Sequence, residues 1–425
     1  MTLYRLRIRL VLSLIFLASS LSASRILLPM DKIQKNHLKS YGIAYWVLDK
    51  NLQVEWLLNY RGGSFSFPFT ESIEKECIIR GVSYELISES DYADIVADIA
   101  RNDVNQEIIK LEVPPKVAIY SPKTKLPWDD AVTMVLTYAE IPYEVIYDQE
   151  ILSDKLPRYN WLHLHHEDFT GQYGKFYGAY HTVDWYQKDQ ENMESIAKEF
   201  GFDKVSKMKL AVTKRIKEFV IGGGFLFAMC SATDSYDIAL AAEETDICES
   251  VFDYDPLDPG YANKMDFSQS LAFQNFQLYT NPMIYEYSDI DRNPAMGDPN
   301  IDESEDYFLL FEFSAKWDHI PTILTQNHER IIKGFMGQTT AFKKNLIKND
   351  VIVLADNKSA NEARYIHGTK GKGMWTFYGG HDPEDYQHYV YDPKTDLNLH
   401  PNSPGYRLIL NNVLFPAAKK KKQKT

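Results

Sequence analysis

The stretch GGGFLFAMCSATDSYDIALA (residues 222–241) decides how the rest of this chain is read. Its glycines end what precedes them, FLFAM is an apolar run of strand length, and DSYDIALA continues with helical spacing. The stretch therefore predicts a strand that passes through a sharp turn into a helix. Cys230 stands on that turn. A nucleophile in such a place needs small residues two positions to either side, and Ala228 and Ala232 supply them. The positive end of the following helix favours a thiolate there. A small buried hydrophobe fits the same position, and position alone does not separate the two readings.

Outward from this point the pattern repeats. KVAIYS, YEVIYD and NWLHLHHED read as strands, alternating with the helical stretches WDDAVTMVLTYAEI and KVSKMKLAVTKRIKEFVIGGG. Downstream, DVIVLAD is a strand, and EARYIHGTKGKGMWTFYGGHDPED reads as two strands joined by a Lys-Gly-Lys-Gly hairpin turn. SPGYRLILNNVLFPA closes the pattern as an amphipathic helix with Pro404 near its start. Strands alternating with helices predict an α/β fold with a parallel sheet covered on both faces.

The expected organisation has six parts. Residues 1–24 read as a signal peptide, since Arg5, Arg7 and Arg9 precede the apolar run LVLSLIFLA. That run is far shorter than the roughly 20 residues that span a bilayer, and no later run is long enough either. The chain is thus expected to be exported, periplasmic or extracellular, without a transmembrane segment after cleavage. Residues 25–112 form an N-terminal α/β unit ending before Pro114-Pro115, which cannot continue a helix. Residues 113–245 and 322–418 are the two parts of the main domain. Between them, 246–321 is an acidic, proline-bearing insertion, part loop and part antiparallel strand at YFLLFEFS, and 419–425 is a basic tail.

A formal charge of −13 excludes nucleic acid, whose phosphates demand a basic face. A small molecule or carbohydrate is the expected partner, and the 28 tyrosines either line a sugar-binding groove or fill a core. The three cysteines are an odd number for an oxidising compartment, so at least one is unpaired within the chain; a Cys77–Cys248 pair would leave Cys230 free.

In an open parallel sheet, ligands bind beyond the carboxyl ends of the strands. Three strands here end in reactive residues: FLFAM delivers Cys230, WLHLH delivers His165, His166, Glu167 and Asp168, and MWTFYGG delivers His381, Asp382 and Glu384. His381 is the expected base for the thiol, with Glu384 or Asp382 to orient its ring. Ser231 offers a backbone N–H for an oxyanion, and the loop with Gly171 and Gly174 offers another, with His166 and Glu167 beside it.

These residues resemble the class I glutamine amidotransferase-like fold, a flavodoxin-like architecture in which an elbow cysteine works with a His and a Glu from a late strand. ARYIHGTKGKGMWTFYGGH is similar to the trehalose-utilisation branch of that fold. The resemblance covers about 116–245 and 322–418. It implies a Cys230, His381 and Glu384 hydrolase of an amide or ester, with no cofactor. Alanines stand where the family has glycines at the elbow, and His381 lies three residues from Glu384 rather than two. LLPMDKIQKNHLKSYGIAYW, LLNYRGGSF and WLHLHHEDFTGQYGKF look like exported proteins that carry the label asparagine synthetase B. That label implies ATP-dependent amidation, which needs an N-terminal cysteine and a serine-glycine-glycine loop; neither is present.

A rival reading comes from the histidine run. His163 and His165 face one side of a strand, a spacing that holds a zinc ion with help from Glu167, Asp168 or His381, so that a metal-assisted hydrolase would centre on His165, His166 and His381. A third alternative is a member of the fold that binds a carbohydrate or envelope partner without catalysis.

Overall fold

The computed structural model describes residues 24–123 and 126–419. Residues 1–23 and 420–425, which carry most of the signal and tail readings, lie outside the described residues.

The first 88 described positions build an antiparallel sheet of β1 (Arg25–Leu28), β2 (Val54–Leu58), β3 (Ser64–Pro68), β4 (Glu85–Ile87) and β5 (Glu107–Leu111), in the order β4-β1-β3-β2-β5. Its helices start where side chains cap their free N–H groups. Asn36 caps α1 (His37–Asp49), Thr70 caps α2 (Glu71–Arg80), and a Ser88–Asp91 capping box opens α3 (Glu89–Ala100).

The second sheet is mixed. Its parallel part runs β7 (Glu144–Ile146), β6 (Val117–Tyr120), β8 (Trp161–Leu164), β9 (Phe225–Met229), β15 (Gly373–Tyr378). It continues with β14 (Glu362–Lys370), β13 (Ile352–Asn357), β10 (Tyr307–Leu310) and β11 (Ile331–Lys333), all antiparallel, and β12 (Phe342–Lys343) pairs with β14. The parallel sheet expected from the alternation is thus present in β7, β6, β8, β9 and β15, and the remaining strands make the whole sheet mixed. The β14–β15 hairpin reverses direction, and the segment after residue 246 returns to add strands along its far edge.

Strand alternation sends side chains to two faces, each with its own core. Val117, Ile119, Trp161 and Phe227 pack beneath α4 (Ala131–Ala139) and α10 (Pro404–Leu414). Ala118, Leu162, Leu226 and Ala228 share the opposite core with side chains of α6 (Asp184–Glu199), α7 (Val205–Gly222) and α8 (Ala232–Ala241). The short helices α5 (Asp148–Leu152) and α9 (His319–Leu324) complete the set used below. The first sheet joins the first of these cores through α1, so Ile26, Trp56 and Phe65 belong to the same cluster as Leu136 and Leu410. The approach of α1 to α4 is close enough to require glycine. A Cβ at Gly42 would lie 1.8 Å from the Ala139 carbonyl oxygen.

The insertion is mostly irregular and is tied down by buried polar contacts. Asp237 of α8 accepts hydrogen bonds from the N–H groups of Leu271, Ala272 and Phe273 at 2.7, 2.6 and 2.9 Å. All three cysteines are free and buried, which removes the Cys77–Cys248 pair. Cys248 instead donates its thiol hydrogen to the Thr170 carbonyl.

Candidate active site

Cys230 follows the last residue of β9 and adopts φ 51°, the left-handed region, immediately before α8. A side chain in that region costs about 1–2 kcal/mol, so the surroundings must hold the turn in place. They do so from three sides. Cys230 N–H donates to the Gly380 carbonyl at 3.1 Å, Ala232 N–H donates to the His165 carbonyl at 2.8 Å, and Thr233 N–H closes back on Cys230 O at 3.1 Å. The thiol thus sits where β8, β9 and β15 end.

A loop that sequence reasoning passed over completes the site. Residues 336–340 run along the end of β15: Gly380 N–H donates to Thr339 O, and His381 N–H to Met336 O, each at 2.8 Å. Glycine is needed for that approach, because a Cβ at Gly379 would lie 2.4 Å from the Thr340 carbonyl oxygen. The loop thereby aims backbone N–H groups at the sulfur. Gln338 N–H lies 3.2 Å from Cys230 Sγ, and Thr339 N–H also hydrogen-bonds it.

Burial by itself would push the Cys230 thiol up. The hydrogen bond and positive charge of His381, with the Thr339 and Gln338 N–H groups, outweigh it and hold the thiol below its ordinary value. Burial likewise opposes the His381 imidazolium, but Asp129 and the Cys230 sulfur raise it to about 10. The two groups therefore favour each other's charged forms, thiolate and imidazolium.

Asp129 is the carboxylate of this site, and it was not among the residues named from sequence. Its Oδ1 lies 4.0 Å from His381 Nε2 and 3.3 Å from His388 Nε2, and His388 stacks on His381 with centroids 4.3 Å apart. His388 Nδ1 in turn meets Asp385 at 3.0 Å. Glu384 does not orient His381: it pairs with His400 Nδ1 at 3.0 Å. Asp382 is occupied by the hydroxyls of Tyr406 and Thr395, each at 2.7 Å, although its charge still favours the imidazolium. The carboxylate facing His381 Nε2 thus comes from the loop after β6 rather than from the loop after β15.

The remaining candidates divide. His165 and His166 approach His381, with centroids 4.5 and 5.5 Å from it. Burial lowers His165 to about 4 and His166 well below its ordinary value, so both rings are neutral at pH 7. His163 Nε2 and His165 Nδ1 converge on Asp130 Oδ2, each at 3.2 Å, while Asp130 Oδ1 caps α4 through Thr133 N–H. Glu167 is buried near Lys209, Asp189 and Asp148. Burial, with Asp189 and Asp148 among its neighbours, pushes its carboxyl well up, against Lys209.

Ser231 is fully buried, its hydroxyl without a partner among the described residues, while Gly171 packs on Ser206, where a Cβ would meet its Cα at 2.7 Å. Gly174 gives its carbonyl to Gln338 Nε2 at 2.7 Å, one residue removed from the sulfur. The donors gathered at Cys230 are therefore those of Gln338 and Thr339 rather than of the glycine loop.

Metal-binding capacity lies in the same cluster. His165, His166 and His381 offer ligand atoms within 4.8 Å of one another, as do Asp129, His381 and His388, and Asp130, His163 and His165. Trp128 covers His166 edge-on at 5.1 Å and touches Phe176, which contacts Tyr285 of the insertion at 5.7 Å. Cys230 itself is 3% exposed.

A sequence signal for Asp129 existed in retrospect. WDDAV follows the first strand of the parallel set, at the same carboxyl edge as Cys230.

No family model matches the sequence, and no curated protein matches it. Among solved structures, a cytoplasmic protein of Salmonella typhimurium is similar at 11% identity over 72% of this chain and 100% of its own, with a TM-score of 0.34. A second, from Salmonella typhimurium LT2, has 12% identity, the same coverage and a TM-score of 0.35. Gan42B, a GH42 beta-galactosidase from G. stearothermophilus, has 14% identity over 63% of this chain and 28% of its own, with a TM-score of 0.27. Likenesses this distant carry no functional argument, and the reading of the site rests on its geometry.

Proposed function

We propose that the protein is an exported thiol hydrolase of an amide or ester, built on a class I amidotransferase-like domain. The observation that carries this reading is the left-handed Cys230 turn at the carboxyl edge of the parallel strands, facing His381 and Asp129. The order β7-β6-β8-β9-β15 corresponds to the flavodoxin-like order 2-1-3-4-5, and Cys230 follows the fourth strand of that series.

In this mechanism the Cys230 thiolate attacks the carbonyl carbon, forming an S–C bond and an oxyanion. The oxyanion collapses, the C–N or C–O bond breaks, and His381 gives its proton to the departing amine or alcohol. Water then attacks the thioester while His381 takes a proton from it, and the acid leaves as the thiolate is regenerated. Asp129 holds the imidazolium through both steps. ATP plays no part, and a small molecule or carbohydrate conjugate is the substrate class.

The test is the pH dependence of iodoacetamide alkylation of the folded protein, with sites identified by mass spectrometry. Cys230 should label with a midpoint below the ordinary thiol value of about 8.5. Cys77, pushed up to about 12 by burial, and Cys248, also pushed up by burial, should label only on unfolding. Labelling of Cys230 only on unfolding would overturn the reading.

A second reading is favoured by one observation. His165 Nε2, His166 Nδ1 and His381 Nε2 are buried without hydrogen-bond partners among the described residues, although these residues can gather ligand atoms in one place. Zinc held there would activate water for hydrolysis. Zinc copurifying with the protein, with hydrolysis lost on chelation and retained in Cys230→Ser, would favour this alternative.

A further inference from the structure

The opposite end of the parallel strands holds a cavity of about 900 Å³ that the proposed chemistry does not use. Phe225, the first residue of β9, lines it, whereas Cys230 follows the last. Five residues at about 3.3 Å each separate the two places by roughly 16 Å. The cavity lies where the Pro114-Pro115 linker, the turn entering α9 and the chain after α10 meet the sheet. Ligand cavities favour such junctions.

Its floor is a cluster of rings. Phe225 and Phe415 lie 5.3 Å apart, and His367 of β14 is 6.4 and 6.3 Å from them. Met374 adds a polarizable edge, and Trp317, 70% exposed, stands at the mouth. His367 is fully buried. Its Nδ1 is engaged by the Thr376 hydroxyl at 2.9 Å, while Nε2 has no hydrogen-bond partner among the described residues. Leaving such an atom unpaired costs about 1–3 kcal/mol, so a hydrogen-bonding ligand atom has a defined place to go. The charged side chains that line the cavity, Lys372, Asp318 and Lys316, are exposed or half-buried, and the Lys316 ammonium already donates to the Arg101 carbonyl.

We propose that this cavity binds a planar aromatic alcohol, its rings on the Phe225, Phe415 and Met374 floor and its hydroxyl on His367 Nε2. Three features select that class. The aromatic body matches the ring-lined floor. A hydroxyl both donates and accepts, so it satisfies Nε2 in either tautomer. Burial lowers His367 to about 3 and keeps it neutral, so a carboxylate at the floor would be desolvated without a partner.

The test is calorimetric titration of the full chain with 2-naphthol, naphthalene and 2-naphthoate. One saturable site for 2-naphthol is expected, with naphthalene about fivefold weaker, the value of one hydrogen bond. In His367→Phe the advantage of the hydroxyl should vanish. If that variant fails to fold, Trp317→Ala, which changes an exposed residue, should weaken 2-naphthol binding at least twofold. Equal binding of all three probes, or 2-naphthol affinity unchanged in the folded variants, would overturn the proposal. Loss of binding in Cys230→Ser would move the ligand to the other site and overturn it as well. Unchanged binding in Cys230→Ser, together with Cys230 of the unsubstituted protein labelling only on unfolding, would sink the hydrolase reading and leave this one standing.

Discussion

Cys230 combines backbone strain with an unusual charge state, and two substitutions separate them. Its φ of 51° penalises any Cβ and spares glycine. Cys230→Gly should therefore be more stable than Cys230→Ala by about 1 kcal/mol in urea denaturation, the reverse of the order at an ordinary position. The charge state depends on Asp129. Because the folded thiol is depressed, its thiolate is lost only as pH falls through that depressed value. Asp129→Asn lowers the affinity of His381 for its proton and removes the thiolate's partner. The alkylation midpoint of Cys230 should then rise toward about 8.5. Glu384→Gln should leave it unmoved, since Glu384 pairs with His400. Equal shifts in both variants would return the role to Glu384.

At the scale of elements, α8 does two things at once. Its start carries the Cys230 turn, and Asp237, farther along, anchors the insertion through three backbone N–H groups. Removing that carboxylate strands buried donors, each costing about 1–3 kcal/mol. Asp237→Ala should lose about 3 kcal/mol in urea and should speed proteolysis within 246–318. An unchanged proteolytic pattern would mean that the insertion is held elsewhere. Tyr285 lies in that segment and its carbonyl accepts from Gln338 Nε2 at 2.9 Å, so loosening the insertion should also speed Cys230 alkylation.

Over the whole molecule, the two sheets share one core through α1, α4 and α10. Arg407 of α10 joins them in polar terms. Its guanidinium donates to Met30 O at 3.0 Å, to the Tyr41 hydroxyl at 2.9 Å and to Gly62 O. Arg407→Met should leave those carbonyls unpaired and cost about 3 kcal/mol. The urea midpoint should fall with its slope unchanged, as one cooperative unit requires. A second transition would show that the N-terminal sheet unfolds by itself.

Elements written in local periodicity were legible from sequence. β6, β8, β9, α7 and the β14–β15 hairpin lie where apolar spacing and glycines put them, because strand, helix and turn preferences act over a few residues. The α/β character follows from the same spacing, and so does the elbow at Cys230. The antiparallel β10 lies within YFLLFEFS and was legible, whereas β11, the strands β3 and β5 and the helix α6 were not, since their patterns decide nothing until a neighbour pairs or packs with them. The site divides along the same line. Cys230 and His381 announce themselves at strand ends, but Asp129 stands beside Asp130, an ordinary helix cap, and Gln338 lies in a loop without periodicity. By itself the sequence determined which strands end in reactive groups. Which carboxylate meets His381, and which N–H groups meet the sulfur, was decided only by the tertiary structure. Hydrogen bonds and charges act over a few ångströms, and those partners are separated by more than a hundred residues of chain.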